Sequence, residues 1–246
     1  MLKLCENISE LDFLSPDPYA ARISALAATY GFEHSFALFW VQYSEEMPVA
    51  AVSRLDGNMS VFCTEDTNFE ELAAFIKTVG FSTLVCREEN MKKLGFEVDK
   101  VSYIVRYEGA PSAENPDVLW DYDKKKVYEL LCDCGFEMGT FGAFAADYCS
   151  RLNKGAAMLA AVENQELDAC ASALFIGKNS VLLGAVATRK EARGKGYASK
   201  AVKALADIFE NKTVYLFCRN DSLLAFYEKI GFVLNGKWAE TSFEMK

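Results

Sequence analysis

The chain has one histidine, five prolines and no apolar run near the ~20 residues that a membrane span requires. Each scarcity removes a class of function. His34 is the only imidazole and Cys132-x-Cys134 the only close cysteine pair, so the ligands for a zinc site are too few and the expected metal is none. His34 also lies far in sequence from the chain's glycine-containing basic turn, which leaves histidine-based catalysis without support. The start, Met1 to Asn7, is too polar for a secretory signal. Cys63, Cys86, Cys170 and Cys218 sit in apolar, strand-like runs, where free cysteine behaves as a small hydrophobe, and Cys132 is expected on a buried helical face. The expected setting is therefore a cytoplasm that keeps thiols reduced. A net charge of −9 argues against a nucleic-acid partner and suits a cationic small substrate, with no membrane partner expected.

What the chain does have is bulk and an uneven distribution of charge. Its 246 residues, 51% hydrophobic, suffice for one large or two ordinary domains. Residues 1–110 hold 9 basic and 17 acidic side chains, and the remainder 17 and 18, so the net charge is −8 before and −1 after that point. Ala110-Pro111-Ser112-Ala113-Glu114-Asn115-Pro116 has the composition of a linker. The expected division is a domain over 1–110, a linker over 111–116 and a domain over 117–246.

The most informative stretch is Val186-Ala187-Thr188-Arg189-Lys190-Glu191-Ala192-Arg193-Gly194-Lys195-Gly196-Tyr197-Ala198-Ser199, a strand end passing through a basic, glycine-containing turn into a helix. Glycine lets backbone approach an anion closely, and a helix start presents amides with no intrahelical partner, so the stretch can cradle a diphosphate without a metal. A Walker loop would need Ser or Thr after Gly194-Lys195, where Gly196-Tyr197 stands instead. A dinucleotide fingerprint, with its third glycine and an acidic residue about 20 positions on, is also missing. The plainer alternative is a solvated basic turn. A second element lies downstream: the β-rich run Thr213 to Cys218, then Arg219-Asn220-Asp221-Ser222, a short helical pattern through Phe226-Tyr227, and Gly231-Phe232. Asn220 to Ser222 favour a helix start, and Gly231 a helix stop.

These two elements, in this order and with room between them for one helix and one strand, resemble the GNAT acyltransferase superfamily. Its Arg/Gln-x-x-Gly-x-Gly/Ala signature reads here Arg193, Gly196, Ala198, and its Tyr-x-Lys-x-Gly-Phe segment ends in Tyr227, Lys229, Gly231 and Phe232. The resemblance implies an α/β (α+β) fold of two GNAT-like domains, each a mixed, mostly antiparallel central sheet flanked by helices. It further implies acetyl-CoA, or another acyl-CoA, as co-substrate and an amine, small molecule or protein lysine, as acceptor. By the same resemblance Val186, Ala187 and Thr188 would offer backbone to the pantetheine arm and the thioester. The amides of Arg193, Gly194, Lys195, Gly196, Tyr197, Ala198 and Ser199 would grip the pyrophosphate. Asn220 and Ser222 would touch the pantetheine or adenosine end. Tyr227 corresponds to the general acid toward the departing thiolate, or else packs against Phe226 and Phe232. Gly184 suits a bulge in the strand or a close packing contact.

An internal repeat extends the reading. Leu84-Val85-Cys86-Arg87 and Lys93-Leu94-Gly95-Phe96 echo Leu216-Phe217-Cys218-Arg219 and Lys229-Ile230-Gly231-Phe232, but cysteine to glycine spans nine residues in the first copy and thirteen in the second. Met91 falls where Tyr227 stands. In place of the glycine turn the first copy has Thr64-Glu65-Asp66-Thr67-Asn68-Phe69-Glu70-Glu71, whose carboxylates repel a diphosphate. Residues 1–110 therefore read as a degenerate GNAT-like domain with no cofactor site of its own, the alternative being chance likeness between two α/β halves. The general base is open: Glu163, Glu166, Asp168 and Glu191 are candidates by position, and relay through water is the other route. The segment 133–142, irregular and aromatic, reads as a substrate lid or as a plain helix-to-helix loop. A catalytically decayed acyl-CoA-binding regulatory or scaffold protein is the alternative function.

Overall fold

Strands buried on both faces need helices on both sides of their sheet, and this chain supplies them in two runs. The computed structural model describes residues 1–110 and 117–242; the linker expected over 111–116 lies outside the described residues. The first run is β1 (Leu2–Leu4), α1 (Pro18–Tyr30), β2 (Ala37–Ser44), β3 (Met47–Leu55), β4 (Asn58–Cys63), α2 (Phe69–Val79), β5 (Thr83–Arg87), α3 (Glu88–Leu94) and β6 (Lys100–Tyr107). The second is β7 (Val118–Leu119), α4 (Lys124–Asp133), α5 (Phe141–Asn153), β8 (Met158–Asn164), β9 (Glu166–Ile176), β10 (Ser180–Thr188), α6 (Tyr197–Ile208), β11 (Thr213–Cys218), α7 (Asp221–Lys229) and β12 (Phe232–Ser242).

All described strands join one twelve-stranded sheet, in the order β1-β2-β3-β4-β5-β12-β6-β11-β10-β9-β8-β7. Its centre is interleaved. β6 closes the first run but pairs with β11 of the second, Tyr103–Arg106 against Tyr215–Cys218. β12 closes the second run but pairs with β5 of the first, Trp238–Ser242 against Thr83–Arg87. β6 and β12 pair with each other. Each half thus lends its last strand to the other, an arrangement that composition and periodicity did not disclose. Among the described residues two ladders are parallel, β4 with β5 and β10 with β11.

Side-chain alternation sends neighbouring residues to opposite faces. On one face α1 covers Phe39, Val41, Ala51 and Phe62 of the first half, Ile104 of β6, and Leu182 and Tyr215 of the second half. On the same face α4 and α5 cover Leu159, Cys170 and Ala187. The opposite face carries α2 and α3 on one half and α6 and α7 on the other. The strand that opens the second run is only Val118–Leu119, because Asp123 caps α4 through the amides of Lys125 and Lys126. Beyond Phe232 runs a single eleven-residue strand, bulged between Leu234 and Lys237. Cys132, expected in the core, is exposed, since Val127, Leu130 and Leu131 form the buried stripe of α4. No helix among the described residues is long and apolar enough to cross a membrane.

A buried ion pair fixes α1 to the centre. Asp17 caps the helix by accepting from the Tyr19 amide at 2.8 Å, and its other oxygen takes the Arg87 Nε at 2.5 Å. The remaining Arg87 nitrogens donate to the carbonyl and side-chain oxygens of Asn235, both at 3.0 Å. One guanidinium thus joins α1, β5 and the β12 bulge. Removing it leaves Asp17 buried without its cation. Arg87→Ala is therefore expected to destabilise the protein by about 3 kcal/mol, seen as a lower urea midpoint with an unchanged slope in equilibrium unfolding. An unchanged midpoint would show the pair to be dispensable.

Candidate functional site

The site begins with an irregularity in β10. Between Gly184 and Ala187 its register against β9 shifts by a residue, and Ala185 adopts a left-handed φ of +49°. A Cβ on Gly184 would meet Leu174 Cδ1 at 2.5 Å, so this glycine serves both the bulge and a close packing contact. On its other side β10 pairs with β11 only from Ser180–Leu183 against Thr213–Leu216, although β10 continues to Thr188 and β11 to Cys218. The strands part. From Gly184 to Thr188 the β10 edge facing β11 has no ladder partner, and Val186, Ala187 and Thr188 lie along it.

After Thr188 a short 3-10 turn, Lys190–Ala192, leads to Gly194 at φ +77° and Gly196 at φ +82°. Nothing lies within 4 Å of where a Cβ on either would stand, so backbone conformation, rather than crowding, selects glycine there. Gly196 is the N-cap of α6 and no side chain caps that helix. The first intrahelical bond runs from the Lys200 amide to the Gly196 carbonyl at 3.0 Å, so the amides of Tyr197, Ala198 and Ser199 precede it. Ala201, Val202 and Leu205 bury the helix against the sheet and hold this end in place. Arg193 and Lys195 are exposed, and Arg193 Nε donates to the Thr188 carbonyl at 3.3 Å.

Three of the four proposed bases are engaged. Arg189 donates to Asp168 at 2.6 Å and pairs with Glu166 at 3.0 Å, tying the turn to the start of β9. Glu163 accepts from the Tyr122 hydroxyl at 2.7 Å. Glu191 lies exposed on the turn. His34 is exposed and stacks on Phe36 with ring centroids 5.1 Å apart.

Beyond β11 the Asn220 side chain caps α7, accepting from the Leu223 amide at 2.9 Å, with Ser222 exposed in the first turn. Tyr227 is 5% exposed and meets the rings of Phe226 and Phe232 at 5.0 and 5.6 Å. Burial, and secondarily the Cys218 thiol, push its phenol well above the ordinary value. Its hydroxyl has no hydrogen-bond partner among the described residues. Tyr227 is part of the hydrophobic cluster on this face of the sheet, against which Val186 and Tyr197 also pack.

The equivalent place in the first half is closed. β4 and β5 also part, after Ser60–Val85, but the Tyr19 hydroxyl donates to the Cys86 carbonyl at 2.9 Å. Thr64 and Thr67 bond to the Val49 carbonyl, and Asn68 caps α2 through the Glu71 amide at 3.0 Å. Met91, opposite Tyr227 in the repeat, is fully buried.

A cavity of about 300 Å³ opens beside the bulge, on the face carrying α4 and α5. Ala185, Ser172, Tyr148, Asp147, Arg151 and Glu137 are among its walls. The Tyr148 and Ser172 hydroxyls are 2.8 Å apart, and Ser172 pairs with Gly184 across the ladder. The segment between α4 and α5 crosses the parted strands: the Cys134 thiol donates to the Thr188 carbonyl at 3.4 Å, and Arg219, after β11, lies over the Phe136 ring at 5.9 Å. The sequence reading missed this pocket. Its signal was present in Phe144, Asp147, Tyr148 and Arg151, spaced i, i+3, i+4, i+7 on α5, where one stripe mixes aromatic and charged residues.

Residues 124–232 match the sequence model of the acetyltransferase (GNAT) family. No functionally curated protein matches the chain by sequence. Among solved structures, a tandem GNAT protein from the clavulanic acid biosynthesis pathway shares 12% identity, with 98% of this chain and 97% of that one covered at a TM-score of 0.58. A GNAT-family acetyltransferase from Colwellia psychrerythraea shares 12%, covering 99% and 100% at 0.57. A GCN5-related N-acetyltransferase from Sphaerobacter thermophilus shares 13%, covering 98% and 94% at 0.56. The chain has the fold of a tandem GNAT protein over nearly its whole length.

Proposed function

We propose that the protein is an N-acetyltransferase that moves an acetyl or other short acyl group from acyl-CoA to an amine, by direct attack of the amine on the thioester. The observation that carries this reading is the parting of β10 and β11 beside an uncapped, glycine-led helix start. A free strand edge binds an extended amide-bearing arm as an added strand would, and unpaired helix amides bind a diphosphate. Both features fit coenzyme A, which when bound supplies the activated acyl carbon and a thiol leaving group. Val186, Ala187 and Thr188 hold the arm, and the amides from Arg193 to Ser199 hold the pyrophosphate. Ser222 offers a hydroxyl, and Asn220 its Nδ2, since its oxygen is committed to the α7 cap.

Transfer needs the oxyanion stabilised, the amine neutral and the thiolate protonated. The free N–H groups of β10 meet the first need. The amine approaches from the cavity beside Ala185, having lost one proton to water in that cavity. As its nitrogen bonds to the acyl carbon, the carbon–sulfur bond breaks. Tyr227 gives its proton to the sulfur and regains one from the acylated nitrogen, so a single proton is released overall. Burial keeps the phenol protonated throughout the neutral range, the state a general acid requires.

Gly196→Glu is expected to abolish acetyl-CoA binding in calorimetry while circular dichroism is unchanged, because a side chain and a carboxylate then occupy the anion site. Retained affinity would remove the cradle assignment. Tyr227→Phe is expected to keep that affinity and lower kcat by about 10- to 100-fold, or ~1.4–2.7 kcal/mol. The wild-type rate should show no decline from phenol ionisation below pH ~10, since the group titrates above the ordinary tyrosine value. Equal rates in the two proteins would demote Tyr227 to packing.

A further inference from the structure

The cavity beside the bulge holds two hydroxyls with hydrogen-bonding capacity unspent. Tyr148 on α5 and Ser172 on β9 both line it, and each is only 2% exposed. Their oxygens lie 2.8 Å apart, and neither has a further partner among the described residues. Two hydroxyls carry two protons and four lone pairs, and their mutual bond uses one of each. One O–H and three lone pairs are left to an occupant of the cavity. Ser172 stands opposite Gly184, which puts no side chain beside it, and the next residue along β10 is Ala185 of the bulge, also in the cavity wall. The hydroxyl pair thus adjoins the strand segment whose free N–H groups are assigned to the oxyanion.

The rest of the wall has little polar capacity to offer. Asp147 accepts from the Tyr30 hydroxyl at 2.5 Å and pairs with Arg151, whose Nη1 donates to the Leu174 carbonyl at 2.6 Å. Carboxylate and guanidinium neutralise each other, and both are engaged by protein groups. Val127, Leu131, Met138, Phe144 and Leu174 supply apolar surface. Glu137, exposed on the loop, makes the lining net negative, so a carboxylate on the ligand is opposed. Its charge already acts on Lys100, whose pKa is raised first by Glu240 and to a smaller extent by Glu137. A second ammonium drawn inside would exchange water for a largely hydrocarbon wall, at a cost. The volume, about 300 Å³, corresponds to roughly ten water-sized groups at ~30 Å³ each.

We propose that the acceptor is a primary amine on an uncharged hydrocarbon body, and that Tyr148 and Ser172 position its nitrogen. A neutral amine donates its two N–H groups to the spare lone pairs, which leaves its own lone pair to face the acyl carbon. The ammonium sheds its proton to water on entry, and the pair receives the neutral form. Neither hydroxyl acts as a base: burial, opposed by the mutual hydrogen bond, pushes the Tyr148 phenol up to about 12. An uncharged site of this kind favours amine over ammonium. The inference rests on the acetyltransferase reading above and assigns the acceptor end of that reaction.

The test is a thiol-release assay at saturating acetyl-CoA with hexylamine, 6-aminohexanoate and 1,6-diaminohexane, which share one chain and differ in the far end. Wild type, Tyr148→Phe, Ser172→Ala and Ser172→Thr are compared, and calorimetry with acetyl-CoA reports on the coenzyme site separately. The expected kcat/KM for hexylamine is at least about tenfold above that for either charged analogue. Tyr148→Phe and Ser172→Ala should each lower the hexylamine value by about tenfold with acetyl-CoA affinity unchanged, and Ser172→Thr, which keeps the hydroxyl, should retain it. Folded Tyr148→Phe and Ser172→Ala proteins with wild-type hexylamine kinetics would reduce the pair to packing and overturn its role. Use of either charged analogue as well as hexylamine, or release with none of the three while acetyl-CoA binds, would overturn the acceptor class and leave the coenzyme site standing. Failure of acetyl-CoA to bind at all would remove the acetyltransferase reading, and the inference with it.

Discussion

The exchange of β6 and β12 at the centre of the sheet is the constraint on which the rest depends. β11 forms one wall of the proposed coenzyme cleft, and for four residues its other edge is held by β6, a strand of the first half. Without that strand the second run would present β11 with one edge open along its length and the other open beyond Leu216. Such an exposed strand is free to close on β10 or to pair with another chain. The cleft needs two neighbouring strands that do not pair at their ends, an arrangement that costs backbone hydrogen bonds unless each strand is anchored elsewhere. β9 anchors β10 and β6 anchors β11. The parting is thus maintained from both sides, and half of that support comes from outside the matched domain.

The same exchange sets two unequal gaps side by side in one sheet. Both parallel ladders stop short, β4–β5 as well as β10–β11, because each half follows the same strand order. What differs is what fills the gap and what begins the next helix. In the first half, Tyr19 takes the Cys86 carbonyl and Asn68 takes an amide of α2, so the polar backbone is satisfied internally. In the second, glycines in the left-handed region leave the helix start uncapped. A satisfied cleft adds stability, and an unsatisfied one leaves groups for a ligand. Arg87 then couples the two, joining α1 to β5 and to the β12 bulge through Asp17 and Asn235.

Much of the second half was legible because local signals coincided. Glycine at positive φ, the Asn220 cap and the β-rich run Thr213 to Cys218 are read within a few residues of chain. The repeat around Cys86 and Cys218 likewise placed Met91 opposite Tyr227. What remained hidden was long-range. Strand exchange leaves no local mark, because β6 and β12 have the same apolar pattern whichever neighbour they take. The commitment of Glu166 and Asp168 to Arg189 could not be seen either, since it requires the β9–β10 hairpin to bring Arg189 back beside them. Cys132 was misplaced because a stripe read from spacing alone leaves the phase of a ten-residue helix uncertain by one position.

Charge adds a last step. The first half is the acidic one by composition, yet two of its few cations reach across to the second, Arg22 to the Phe175 ring and Arg87 to Asn235. A guanidinium half-buried between two helices and a sheet is an expensive way to hold a fold, since an apolar residue of similar length would fill the same space without the desolvation cost. Arg87 avoids that objection, because Asp17 and Asn235 use its donors. Arg22 lies 5.4 Å from the centroid of the Phe175 ring and leaves its Nε without a hydrogen-bond partner, a weaker compensation than Arg87 receives. Of these two arginines, the one whose donors are used joins three elements through hydrogen bonds, and the other reaches the second half by packing on an aromatic ring.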